Sequence, residues 1–466
     1  MAEGGVRHYT EWTPRLINRS RFEYEDESKQ TSSIMDILGY GPDIRKKRKE
    51  IYKEWDELQV YHGEIILITA GSKAEGLTCA VESDRDSILV MPNAVCLEDG
   101  VDKSIIPGHM NLFEMNIQSC NAGYCRLLLT RLGPSGHPSI TDSLCGDGYG
   151  RRLMSSKRFI DHFADHWRSH SEGVNNLARA GPSLPQSYGP FHIDVVSAIR
   201  CNCPGILQKW ASRTRHWPSP NIVEKVIAMG AFVTPIGFKG SAHNHVEWRI
   251  CFNTAETELL NNLNDTQVKI YIILKMIVND VLKPKFKEIT SYTLKNIVLW
   301  LAENNPQEWF HSGSLFHFLF EGLDRLRTAL SDKQLPYYMI PERNLMAERE
   351  LDVEQQGMWV RSITDMINEG PRIIMKLEKI GHAIECHPEP LLWYSRMRTE
   401  LEMLYLESNN RLLRTSDNNG QVDENDPIVK AIDKRISEIF REVLLRMQLE
   451  GSSVNDVNKL FPMMLS

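Results

Sequence analysis

Hydrophobic and polar positions alternate along this chain in three regimes. Residues 1–40 are polar and irregular, with an acidic patch at Glu23 to Glu27 and a Gly39-Tyr40-Gly41-Pro42 break, so they predict a tail leading into the fold. From Asp43 onward Ile44, Ile51, Trp55 and Leu58 recur at helical spacing. That spacing predicts a long amphipathic helix with Asp43 as its N-cap and strongly basic first turns.

Short apolar runs follow at Ile65 to Thr69, Ser87 to Met91, Tyr124 to Thr130 and Phe191 to Ile199. They predict strands of a mixed sheet, separated by Gly/Pro-rich loops at 132–139 and 178–190, with the sheet region ending near residue 240. Beyond Glu247 the period lengthens to that of helices, predicted over 255–282, 291–303, 313–331 and 360–380, with Pro284 and Pro306 marking ends. Two more helices are predicted at 391–408 and 427–449, joined by the polar stretch SDNNGQVDENDP as a flexible connection. The expected fold class is α+β in two lobes: a tail over 1–42, a sheet-containing core over 43–240, a helical lobe over 241–385 and a helical extension over 386–466.

With 466 residues and 42% hydrophobic content the chain can bury a sizeable core. A net charge of -7 argues against a protein that coats nucleic acid with its whole surface, so any such contact is local. Nine cysteines with no CxxC pair predict a reducing compartment. The N-terminal MAEGGVRHYTEW lacks the plan of a signal peptide, and no window reaches the roughly 18 apolar residues of a spanning helix. The expectation is a soluble, cytoplasmic protein without a membrane partner.

The chemistry concentrates in ITAGSKAEGLTCAVESDRDSILV, where one strand delivers Gly71-Ser72 into a turn and the next opens with Asp84-Arg85-Asp86. Residues two apart on a strand project to the same side, so Asp84 and Asp86 can share divalent cations. Gly71 lets backbone approach a phosphate, and the Ser72 hydroxyl can hydrogen-bond its oxygens. Asp194, alone among apolar neighbours in PFHIDVVSAI, supplies the third carboxylate that a two-metal site calls for. Taken singly, each of these is an ordinary turn, strand edge or cap. Their strand-flanked order makes the joint signal.

With those residues in hand, the chain resembles the cyclic GMP-AMP synthase-like receptors, a branch of the nucleotidyltransferase superfamily. The resemblance covers roughly residues 43–380 and is carried further by EWRICF, LLNNL, TSYTLK and LPYYMIPERNL. It implies the bilobal nucleotidyltransferase fold, with a mixed β-sheet N-lobe and a long spine helix packed on a helical C-lobe. It also implies ligand-triggered synthesis of a cyclic dinucleotide from ATP and GTP in innate immune sensing, with two Mg²⁺ or Mn²⁺ ions at Asp84, Asp86 and Asp194. By the same resemblance Arg249 contacts the acceptor base, Lys275 and Ser291 bind donor phosphates, and Tyr292 stacks on a nucleobase. Ala70, Cys251 and Asn253 stand where the vertebrate synthase has hydroxyl residues, which leaves the bases and linkage of the product open.

The stretch from Glu256 to Lys275 lacks the His-Cys-Cys-Cys insertion of the vertebrate DNA sensor, so no zinc is expected, and His162, His166 and His170 read as one exposed helical face. The family's trigger is double-stranded nucleic acid. Here Arg45, Lys46, Lys47, Arg48, Lys49 and Lys53 are the residues expected to meet its phosphates, RNA being favoured over DNA, with oligomerisation on ligand binding allowed. Lys209, Arg213 and Arg215, interleaved with Trp210 and Trp217, form a second candidate patch. Two other readings stay open: a catalytically silent binding or scaffold relative, and an enzyme that extends RNA tails.

Overall fold

The computed structural model describes residues 22–61, 66–134, 137–170, 175–176, 181–188, 191–282, 289–348, 352–416, 422–423, 425–454 and 456–465. Its strands are β1 (Ile66–Ala70), β2 (Arg85–Leu97), β3 (Asn111–Asn116), β4 (Tyr124–Arg131), β5 (Leu144–Gly146), β6 (Arg152–Met154), β7 (Asn175–Asn176), β8 (Leu184–Tyr188), β9 (Phe191–Asn202), β10 (Ala231–Thr234) and β11 (Glu247–Cys251). They form one mixed sheet in the order β1-β2-β3-β4-β11-β10-β9-β8-β7, with β6 pairing to β4 and β5 to β6 off this path. Parallel pairing of β2 with β9 makes the path close on itself, so Leu89, Cys96, Phe113, Val195, Ile199 and Trp248 point into an enclosed core.

The sheet runs past residue 240, where the periodicity predicts an end, because β11 inserts between β4 and β10. Its five residues are too few to show a period of two, and only the two pairing partners reveal it. Part of the 178–190 loop is likewise the strand β8, held by pairing to β9.

Helix α1 (Glu25–Met35) lies inside the predicted irregular tail, and correcting that expectation locates the missing signal. The inward face of α1 is largely small and polar: Ser28, Thr31, Ser32 and Met35. Ser28 Oγ accepts from Phe316 N at 3.1 Å and Lys269 Nζ donates to Ser32 Oγ at 2.9 Å, contacts that no hydrophobic period can announce. A π-turn, Asp36–Tyr40, follows, and Gly39 takes φ 82° within it. The spine helix α2 spans Pro42–Tyr61, so Asp43 sits in its first turn, where its charge suits the helix dipole, and not at the N-cap.

The helical lobe is built around Asp265–Ile277, buried on nearly every side. The single helix expected over 255–282 is broken ahead of it. Asn264 accepts from Gln267 N at 2.9 Å while Gln267 Oε1 accepts from Asn264 N at 2.9 Å, a capping box that starts a new helix after Asn253–Asn261. The helix expected over 360–380 is also divided: Val353–Glu369 stops at Gly370, whose φ of 67° favours glycine, before Glu378–Cys386 begins. Ser291–Asn304, Leu315–Asp332, Leu391–Arg414 and Pro427–Leu449 stand close to where the pattern places them. No helix among the described residues is long and apolar enough to cross a membrane.

Candidate active site

Two backbone registers assemble the site. In the antiparallel β1–β2 pair Ala70 lies opposite Asp86, and in the parallel β2–β9 pair Asp86 lies opposite Asp194. Side chains at paired positions share a face, so the two carboxylates stand beside each other although 108 residues apart in the chain. Gly71, with φ 62°, opens the short helix α3 (Gly71–Ala74). A Cβ on Gly71 would sit within the van der Waals radius of Asp86 Oδ2, so the absent side chain is what admits the carboxylate.

Asp84 precedes the first residue of β2 and lines the same cavity as Asp86. Arg85, between them, turns to the opposite side. There it covers the Trp55 ring at 4.7 Å, donates to Thr69 Oγ1 at 2.7 Å and pairs with Asp56 at 3.5 Å. That alternation aims the two aspartates together.

Two cavities of about 310 and 230 Å³ meet here and share Ser72, Asp86 and Ser291 in their walls. Asp84 and Lys275 line the first; Gly71, Arg249 and Tyr292 line the second. Lys275 Nζ donates to Ser72 Oγ at 2.8 Å, and burial lowers its pKa. The candidate cleft residues are therefore brought to one place, apart from Asp194, which lies beside Asp86 without lining either cavity.

The donor set at this place is made of carboxylates, the ligands a hard divalent cation prefers. Asp86 keeps an exposed edge toward the cavity, yet the protein atoms crowding it, with Asp194 next, raise its carboxyl to about 6 against the pull of Lys295. Burial raises Asp194 as well, against a hydrogen bond from Ser183 and with a smaller push from Asp84. Adjacent carboxylates that resist ionising together suit a hard cation with oxygen ligands. Among the described residues, however, no three His, Cys, Asp or Glu side chains are gathered closely enough to form a finished cluster. The fit is one of donor chemistry and register.

In the wall of the second cavity lies a polar network that the motifs do not announce. Glu256 Oε1 accepts from Tyr292 OH at 3.0 Å and from Tyr337 OH at 2.7 Å, while Lys295 reaches Glu256 Oε2 at 3.7 Å and donates to Glu75 Oε1. Glu75 follows Ser72 by three residues and Lys295 follows Ser291 by four, one helical turn in each case. That spacing was the available signal.

The basic cluster on α2 is divided. Arg45 is 7% exposed and paired with Asp265, and Arg48 is 1% exposed and paired with Glu402. The expectation that these two arginines meet a nucleic acid is therefore corrected, because helical periodicity turns both toward the protein. Lys46, Lys47 and Lys53 are exposed and Lys49 is half-buried. In the second patch Arg213 pairs with Glu303 and donates to Tyr338 O, Arg215 donates to Trp210 O, and Lys209 pairs with Glu342. Trp210 and Trp217 are buried, so this patch is intramolecular structure. His162 packs beside His137 at 6.3 Å, while the side chains of His166 and His170 lie outside the described residues.

Comparison with protein-family models matches residues 176–262 to the Mab-21 protein nucleotidyltransferase domain and residues 266–364 to the Mab-21 protein HhH/H2TH-like domain. The first span contains Asp194 and Arg249, the second Lys275, Ser291 and Tyr292. Gly71 to Asp86 precede both.

Proposed function

The chain belongs to the Mab-21 family of cyclic GMP-AMP synthase-like nucleotidyltransferases, and from that premise we propose that it joins ATP and GTP into a cyclic dinucleotide when double-stranded nucleic acid binds. The proposed setting is innate immune sensing in the cytoplasm. The observation that carries the reading is the register that sets Asp86 beside Asp194, with Gly71 making room for Asp86.

In this reading a ribose hydroxyl of the acceptor attacks the α-phosphorus of the donor, the bond to the β-phosphate oxygen breaks and pyrophosphate leaves. The hydroxyl proton passes to a carboxylate of the Asp86–Asp194 pair. Asp84, Asp86 and Asp194 would hold two Mg²⁺ or Mn²⁺ ions, which when bound stabilise the charge on the attacking and leaving oxygens. The Ser72 hydroxyl and the α3 amides bind donor phosphate oxygens, with Lys275 supplying a point charge and Ser291 a hydroxyl. Tyr292, its hydroxyl tied to Glu256, presents an oriented ring to a base, and Arg249, in the wall of the same cavity, reads the acceptor. Lys46, Lys47 and Lys53 are the α2 cations left to meet duplex phosphates, RNA being favoured for its A-form geometry.

A binding role without turnover is the second reading, favoured by the position of Asp194 outside both cavities. Purified protein incubated with labelled ATP and GTP, Mg²⁺ or Mn²⁺, and a panel of RNA and DNA duplexes separates the two. A cyclic product that depends on duplex supports the synthase. Linear tails, duplex-independent turnover, or no product with any duplex overturns it.

A further inference from the structure

The helices beyond residue 390 line an open pocket that the proposed chemistry does not use. It holds about 550 Å³ and lies between Leu391–Arg414, Pro427–Leu449 and Val457–Leu465 on one side and the Asp36–Tyr40 turn on the other. Leu38, Leu391, Val443, Leu460, Met447 and Met464 make its wall mostly apolar. Its size falls in the roughly 300–1,000 Å³ range of small-molecule sites, and methionine side chains adapt to the shape of a flexible guest.

One charge in that wall is unanswered. Arg398 lines the cavity, and its Nε and Nη2 are buried without a hydrogen-bond partner among the described residues. The guanidinium rests over Gly39, where any side chain would collide with it. Two neighbouring charges are already committed: Glu450 accepts from Tyr394 OH at 2.7 Å and from Arg446 Nε at 2.8 Å, and Arg48 pairs with Glu402. Arg398 is half-buried and pairs with no acidic side chain among the described residues, so its accessible edge at the cavity wall is open to an anionic ligand group.

Both walls of the cavity are tied to the loop that delivers Asp84. The 36–40 turn ends in Tyr40, whose hydroxyl donates to Glu82 Oε1 at 2.6 Å. From the other wall, Leu465 O accepts from Val81 N at 3.1 Å, and Met464 and Leu465 pack in one cluster with Cys79 and Ala80. The same loop offers its Cys79 and Ala80 carbonyls to Lys73 Nζ on α3, directly after Ser72.

We propose that this cavity binds a single-chain amphiphile, with its apolar tail among the extension helices and a carboxylate or similar anionic head at Arg398, and that occupancy regulates nucleotidyl transfer through residues 79–84. The regulatory half rests on the function proposed above. The binding half does not.

The test uses the full chain and monomeric oleate, held below its micelle-forming concentration, with oleyl alcohol as the neutral counterpart. Calorimetry is expected to give one oleate per chain, at least tenfold weaker binding for the alcohol, and at least tenfold weaker oleate binding in Arg398→Ala. Arg398→Lys, which keeps the charge, recovers part of that loss, and Met447→Trp, which fills the cavity, abolishes binding while thermal unfolding stays cooperative. Equal affinity for acid and alcohol, unchanged binding in Met447→Trp, or no binding to the wild type overturns the site. Oleate is expected to change the duplex-triggered transfer rate at least threefold in the wild type and not in Arg398→Ala. An equal response in both overturns the regulatory half. Saturable oleate binding by a protein that makes no dinucleotide under any condition supports the site and removes the function proposed above.

Discussion

Arg48 of the spine helix and Glu402 of the C-terminal extension form a buried, two-pronged ion pair, Nε to Oε1 at 2.8 Å and Nη2 to Oε2 at 2.7 Å. Arg48 also donates to Gly39 O at 2.8 Å, so one guanidinium joins the extension, the spine and the 36–40 turn. The extension is thereby part of the folded body around the cleft.

Removing one partner of such a pair leaves the other charge buried and uncompensated. Glu402→Ala is expected to destabilise the protein by about 3–5 kcal/mol, whereas the double change Arg48→Met with Glu402→Leu recovers most of that loss. Chemical denaturation of the three variants against wild type checks it.

The carboxylates are expected to matter for turnover and not for folding. Asp86→Asn and Asp194→Asn each forgo several kcal/mol of transition-state stabilisation. That is about a thousandfold or more in rate of nucleotide incorporation. Thermal unfolding should stay within a few degrees of wild type, since relieving the like-charge pair offsets the lost contacts.

Gly71→Ala tests the cradle directly. The new methyl group displaces Asp86 and strains a left-handed backbone, the latter costing about 1–2 kcal/mol. If Asp86 serves the proposed nucleotidyl transfer, displacing its carboxylate by about 1 Å is expected to lower turnover roughly 10²-fold. A variant with full activity would show that Asp86 need not stand where the register places it.

Asp426 caps Pro427–Leu449, accepting from Ile428 N at 2.9 Å and Val429 N at 3.1 Å, and it pairs with Arg411 at 2.6 Å. The hydrogen bond from Arg411, first, holds its carboxyl at about 2, below the ordinary 3.8. A depressed folded-state value stabilises fully above about pH 4 and is lost as pH falls through about 2. The stability difference between wild type and Asp426→Asn should therefore shrink over that window, read by denaturation at stepped pH.

Alanine at Lys46, Lys47 and Lys53 together is expected to weaken duplex RNA binding and to reduce the salt dependence by about one unit of slope for each lysine that meets a phosphate. Arg45→Ala is expected to act on stability through its lost pair with Asp265. Titrations at several salt concentrations, beside thermal melts, separate the two effects.

What could be read from the order of residues was local. The strand runs around residues 66–70 and 85–91, the helices near 291–304 and 427–449, and the Gly71-Ser72 and Asp84-x-Asp86 text all follow from periodicity, turn chemistry and spacing within about twenty residues. Pairing decided the rest. The neighbour of Asp86 is Asp194 only because β2 and β9 run parallel in one register, and the face that Arg45 and Arg48 present is settled only by Asp265 and Glu402. The inward face of α1, the Glu75–Lys295–Glu256 network and the cavity at Arg398 depend on groups distant in the chain. A residue's type limits the contacts it can make, but burial and charge balance are properties of what the fold brings beside it.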